Sequence, residues 1–278
     1  MPVCSTPWCT TPSPRSPPAR PGRSRWSPTT PRSCSCSGGW TVTEPVRIGL
    51  VLPDVMGTYG DSGNAVVLRQ RLALRGIAAE IVEITLADPV PESLDLYTLG
   101  GAEDYAQRLA TRHLIRYPGL QRAAERGAPV LAICAAVQVL GAWYETSAGD
   151  RVDGVGMLDV TTAPQQTRTI GEVVGDPLLA GLTQPLTGFE NHRGGTVLGP
   201  AASPLSKVTK GAGNRAGDGF DGAIQGSVVA TYLHGPCLAR NPELADLLLS
   251  KVVGELAPLE LPEVEMLRAE RLSAPRRA

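Results

Sequence analysis

Apolar residues come along this chain in blocks separated by polar, glycine-rich stretches. Val46 to Leu52 (VRIGLVL) is a near-continuous apolar run, as expected of a strand buried on both faces. After the loop PDVMGTYGDSG, residues Asn64 to Arg75 carry apolar positions at helical spacing and stop at Gly76, with Asn64 suited to the N-cap. The succession then recurs. AEIVEI (Ala79 to Ile84) and LDLYTLG (Leu94 to Gly100) read as strands, residues 103 to 126 as helical, and APVLAIC (Ala128 to Cys134) as another short buried strand. Strands alternating with helices predict a doubly wound α/β fold: a mostly parallel sheet, helices on both faces, right-handed crossovers.

Beyond Tyr144 the pattern shifts to short Gly- and Thr-rich pieces that read as hairpins and loops, through EVVGDPLL, GFENHRGGT and the stretch from Gly211 to Gly226. A strand, SVVATYLHG, and a helix from about Pro242 to Val253 restore the α/β alternation. Residues 258 to 278 are charged and read as a surface helix or tail. There is no internal repeat.

Composition changes this picture only at the N-terminus. Residues 1 to 40 contain no Leu, Ile, Phe, Asp or Glu, while Pro, Ser and Arg recur, so they bury too little to offset their ordering entropy. The expected organisation is a disordered or wrongly assigned extension over 1–44, with translation starting near Val42 or Val46, a domain over 45–256, and a charged tail over 257–278. A formal net charge of -1 gives no argument for nucleic acid or an anionic membrane surface. No stretch approaches the roughly 18 apolar residues of a spanning helix. No nucleic acid, no membrane insertion and a cytoplasmic location are expected. Of the six cysteines only Cys134 and Cys237 lie in the body. The pair Cys34-x-Cys36 is too short for zinc geometry on its own, and no metal or cofactor is expected.

The sharpest chemical feature is VLAICAAVQVLG, an apolar strand that runs into Cys134 and then into a helical stretch. Such a corner projects its side chain at the carboxyl end of the sheet, where open α/β folds bind ligands. The following helix N-terminus is expected to lower the thiol pKa. Alternatively, Cys134 is one more buried small residue at a strand end. His234 closes the run VVATYLHG at another strand's carboxyl end, and a Cys and a His so placed can form a nucleophile and base pair. His113 reads as a surface residue and His192 as a structural hydrogen bonder. In TLGGAED the N–H of Gly101 is a candidate to join that of Ala135 as an oxyanion donor, unless the glycines only make a βα turn.

These residues resemble the class I-like glutamine amidotransferases of the cobyric acid synthase branch, most nearly the glutaminase subunits of lipid II isoglutaminyl synthases. The likeness covers about residues 46 to 255 and is carried, in order, by YGDSGN, LGGAEDYAQ, AICAAVQVLG, GFENHRGGT and TYLHGP. It implies a flavodoxin-like sheet, with Cys134 as nucleophile, His234 as general base and then acid, and Gln138 and Arg168 near bound L-glutamine. Without the family, Arg168 is an exposed strand arginine. The resemblance further implies glutamine hydrolysis through a thioester and delivery of ammonia to a Mur-ligase-like, ATP-dependent subunit of the MurT type. An amidotransferase for a corrinoid-type acceptor and a non-catalytic homologue are the alternatives; no G-x-x-x-x-G-K-[ST] loop is found.

Three departures stand out. The chain reads Cys134-Ala135-Ala136-Val137-Gln138 where such proteins usually read Cys-Gly-Gly-Tyr-Gln, and Ala102 replaces a common third glycine. Pro236 stands where many class I enzymes place a Glu that orients the histidine. The resemblance implies that the partner lends an acidic residue and that the lone subunit is slow, with Glu190 the first candidate should the third group lie in this chain.

Overall fold

The computed structural model describes residues 44–273, so the expectation for residues 1–44 falls almost wholly outside the described residues. From the N-terminal end the elements are β1 (Val46–Val51), α1 (Gly63–Ala73), β2 (Ala79–Ile84), β3 (Leu96–Leu99), α2 (Asp104–Arg116), α3 (Gly119–Glu125), β4 (Val130–Ile133) and α4 (Ala135–Leu140). There follow β5 (Trp143–Glu145), β6 (Arg151–Asp153), β7 (Val160–Pro177), β8 (Leu186–Leu198), β9 (Ser206–Lys210), β10 (Phe220–Asp221), β11 (Ala223–Gln225) and β12 (Val228–Thr231). Three helices close the chain: α5 (Cys237–Arg240), α6 (Pro242–Val253) and α7 (Pro262–Ser273).

One sheet has the order β2-β1-β3-β4-β12-β11, parallel throughout except for the antiparallel edge strand β11. Its first five strands follow the flavodoxin-like order, in which the winding reverses between β1 and β3 and opens a crevice at the carboxyl ends. Every residue of β3, β4 and β12 is buried, which is why these strands read as unbroken apolar runs rather than alternating ones. The pairings Val51↔Leu99, Leu99↔Ala132 and Ala230↔Ala132 bring four strand ends to one level. The loop after β1, the turn after β3, Cys134 after β4 and the segment after β12 therefore emerge side by side.

The second sheet, β10-β9-β7-β5-β6 with β8 also paired to β7, is built on one long antiparallel hairpin. The sequence suggested short hairpins here; β7 instead runs for 18 residues. Its continuity is hidden by an irregularity: Pro164 opposes Gly194 and Thr169 opposes His192, so residues 165–168 bulge out against Arg193 alone. The main chains of Phe189 and His234 exchange hydrogen bonds of 3.1 and 2.8 Å and tie this hairpin to the end of β12.

Other differences are local. Asn64 does not cap α1; it is buried, donates to the Asp61 carbonyl at 3.0 Å and accepts the Leu238 N–H at 2.9 Å, joining the loop after β1 to α5. His113 is buried against Tyr117 rather than exposed. Of the two forms read for the charged segment, surface helix or tail, residues 262–273 take the helical one as α7, held by the buried Arg268, which donates to the carbonyls of Arg240 and Pro185.

Candidate active site

Cys134 occupies the corner between β4 and α4 with φ 54° and ψ -109°, a left-handed conformation that a non-glycine residue adopts at a cost of about 1–3 kcal/mol. The corner is held by bonds on both sides: Cys134 N donates to Thr231 O at 2.8 Å, and Val137 N to Cys134 O at 2.9 Å. Ala135 and Ala136 lie inside α4, and neither has positive φ, so the added methyl groups impose no strain where glycines are usual. The Ala135 N–H lies beside the sulfur and favours its ionised form. The thiol departs from the sequence reading. Burial first and the charge of Asp61 second push it up to about 12, and the Ala135 N–H and Arg168 only partly offset them. A six-residue helix does not outweigh the burial of this side chain, so the resting group is the thiol.

His234 is almost fully buried, and its Nδ1 lies 3.0 Å from both carboxylate oxygens of the buried Asp61. This bond places the imidazole proton on Nδ1 and leaves Nε2 as a free lone pair; Nε2 has no protein partner among the described residues. The expectation that this chain lacks an orienting acid is thereby corrected. Asp61, in the loop after β1, takes the place that Pro236 cannot fill. Glu190 does not: its carboxylate accepts the N–H groups of Ala212 and Gly213 at 2.9 and 2.8 Å. No local pattern marks Asp61 in the sequence. The available signal was its position in YGDSGN, a loop leaving the same sheet edge as Cys134 and His234.

Gly101 joins these groups sterically. A Cβ built there would lie 3.2 Å from His234 Cε1, 3.4 Å from Asp61 Oδ2 and 3.5 Å from Cys134 Cβ, so the three side chains converge on the glycine. Its N–H, however, is donated to Asp61 Oδ2 at 2.9 Å. The expectation that Gly101 donates to an oxyanion is corrected accordingly: in this structure the buried Asp61 carboxylate holds that N–H.

Above the sulfur opens a cavity of about 240 Å³ lined by, among others, Tyr59, Glu103, Cys134, Gln138, Arg168 and Asn191. Gln138, one turn into α4, donates through Nε2 to the Tyr232 hydroxyl at 3.3 Å. Arg168 reaches the cavity because it sits in the bulge of β7. Its Nε donates to Asn191 Oδ1 at 2.6 Å and its Nη2 to the Tyr59 hydroxyl at 3.4 Å, while Asn191 Nδ2 donates to the same hydroxyl at 2.7 Å. The guanidinium is thus aimed by neutral groups and carries no ion pair of its own among the described residues. Tyr59 also lays its ring edge-on to the His234 imidazole, with centroids 4.9 Å apart. His192 keeps the structural role read from sequence: Nδ1 bonds to Gly194 O at 2.8 Å and the ring stacks on Tyr232.

A cysteine at a strained strand-to-helix corner, a buried His and Asp pair at neighbouring strand ends, and a polar cavity over the sulfur form the equipment of an α/β thiol enzyme acting on acyl groups. Residues 47–242 match the model of the CobB/CobQ-like glutamine amidotransferase domain, and the chain belongs to that family of enzymes. It is 37% identical over 203 residues, 72% of this chain and 81% of the relative, to the protein named lipid II isoglutaminyl synthase (glutamine-hydrolyzing) subunit GatD of Staphylococcus aureus. The same-named subunit of Streptococcus pneumoniae is 30% identical over 236 residues, 82% of this chain and 89% of the relative. A cobyric acid synthase of Pelotomaculum thermopropionicum is 38% identical over 159 residues, but these are 51% of this chain and only 30% of that protein.

Proposed function

We propose that the chain is the glutamine-hydrolysing subunit of a lipid II isoglutaminyl synthase, acting in the cytoplasm in peptidoglycan synthesis. Similarity to two such subunits over most of both chains supports the assignment, and the observation that carries the chemistry is the convergence of Cys134, His234 and Asp61. The substrate γ-carboxamide lies over Cys134, with its α-carboxylate on Arg168, whose planar guanidinium binds two oxygens at once. As the sulfur attacks the carbonyl carbon, His234 Nε2 takes the thiol proton. This transfer is needed because the buried thiol does not ionise near neutrality. Asp61 holds the tautomer and stabilises the imidazolium. The Ala135 N–H supports the oxyanion. The C–N bond then breaks, His234 returns the proton to the departing nitrogen, and ammonia leaves a γ-glutamyl thioester. Water, deprotonated by the same Nε2, attacks the thioester and releases glutamate and the thiol.

The ammonia passes to a Mur-ligase-like, ATP-using partner of the MurT type, which converts the D-glutamate of the lipid II stem peptide to D-isoglutamine. Two measurements test the reading. A diazoketone analogue of glutamine is expected to label Cys134, with free glutamine protecting it; labelling elsewhere removes the nucleophile assignment. Glutamine, ATP, lipid II and both subunits together are expected to yield amidated lipid II; a corrinoid amidated in its place would name a different acceptor.

A further inference from the structure

The lining of the cavity over Cys134 carries charges of both signs. Arg168 presents a guanidinium without an ion pair among the described residues, and Arg193 also lines the cavity. Glu103, Asp104 and Glu145 bring carboxylates to the same lining. Asp104 is already engaged, its Oδ2 accepting both the N–H and the hydroxyl of Ser147. Glu103 is not engaged. It stands at the N-cap of α2 in an extended conformation (φ -90°, ψ 162°), makes no capping bond to the helix, and is exposed. The turn from which it projects is fixed by Gln107, whose Nε2 donates to the Ala102 carbonyl at 3.1 Å. Both charges lie close enough to the nucleophile for their fields to act on its sulfur, Arg168 favouring and Glu103 opposing its ionisation.

We infer that Glu103 binds the α-ammonium group of the substrate amino acid, whose α-carboxylate is held by Arg168. This deepens the proposed function and rests on it. A zwitterionic head group has one charge for each of these two side chains, and the cavity they line is the one that opens over Cys134. Glu145 is the other lining carboxylate without a side-chain hydrogen bond; Glu103 is set apart by standing two residues from Gly101, whose Cβ position lies 3.5 Å from Cys134 Cβ. Glu103 is therefore a specificity residue for α-amino acids over the same amide without the amine. Its carboxylate is a free acceptor that becomes paired only when the ligand is bound, and a charged hydrogen bond of about 1.5–3 kcal/mol corresponds to roughly ten-fold or more in affinity.

The test is binding rather than turnover. In the full chain carrying Cys134→Ser, calorimetric titration compares glutamine with glutaramate, which lacks the α-ammonium. Glutamine is expected to bind at least about ten-fold more tightly. Glu103→Gln is expected to bring that ratio to within about two-fold, and Glu145→Gln to leave it in place. A ratio that survives Glu103→Gln, or collapses equally with Glu145→Gln, overturns the inference, and failure of glutamine to bind at all overturns it together with the proposed function. If the ratio behaves as expected but the native chain releases no ammonia from glutamine, the proposed hydrolysis falls and the ammonium site stands.

Discussion

The imidazole of His234 is held by the carboxylate of Asp61, 173 residues earlier in the chain, with Nδ1 3.0 Å from each oxygen. The same carboxylate takes the Gly101 N–H, so one buried group fixes both the base and the turn that faces the nucleophile. Asp61→Asn keeps the volume but can hold the wrong tautomer. We expect kcat for glutamine to fall by about 10²–10⁴-fold with little change in KM, read from steady-state ammonia release. A loss below about three-fold would remove Asp61 from the mechanism.

Arg168→Ala is expected to act on binding. The guanidinium is aimed by Asn191 and Tyr59 and left free to receive a carboxylate. KM for glutamine should rise about ten-fold or more, with kcat altered less. Tyr59→Phe removes one of its two supports and should raise KM by a smaller factor. An unchanged KM in Arg168→Ala would return this residue to the exposed-strand reading.

The thiol of Cys134, pushed up to about 12, should be slow to react with a small alkylating agent at neutral pH. The rate should climb about ten-fold per pH unit from 7 to 10, because only the thiolate reacts. Mass spectrometry of Cys134 at timed intervals measures it. A rate that levels off near pH 7 would show a resting thiolate stabilised by the imidazolium.

Asp221 provides a pH test of the scaffold. It is fully buried, accepts the Thr231 hydroxyl and the Tyr232 N–H just ahead of His234, and burial raises its pKa from 3.8 to about 6. Because the folded value lies above the unfolded one, its contribution to stability is fully present below about pH 4 and is lost as pH rises through 6. Asp221→Asn does not titrate. Denaturant unfolding should therefore show the variant gaining on the native protein by a few kcal/mol between pH 4 and 7. A difference that does not vary with pH would contradict this.

What could be read from the sequence follows from how local each signal is. β3, β4 and β12 declare themselves because burial on both faces demands unbroken apolar runs, and Cys134 because a strand, a nucleophile and small residues are adjacent. Arg168 needed the family likeness, since only the four-residue excursion of 165–168 against Arg193 turns it from a strand position into a cavity wall. Asp61 was invisible for a different reason. Its role depends on the level at which β1 and β12 end, a property of the sheet register that no spacing in the chain records. The pKa of Cys134 was misjudged because sequence shows the helix that follows the thiol but not the depth of its burial.

The account stands most directly on glutamine hydrolysis by this chain alone. Since Asp61 supplies within the subunit the acid once expected from a partner, the isolated protein should release ammonia and glutamate in equal amounts at a rate that a Mur-ligase-like subunit changes by no more than a few-fold, and Cys134→Ser should abolish this release without unfolding the protein. Ammonia release that is absent until the partner is added, or that persists in Cys134→Ser, would contradict it.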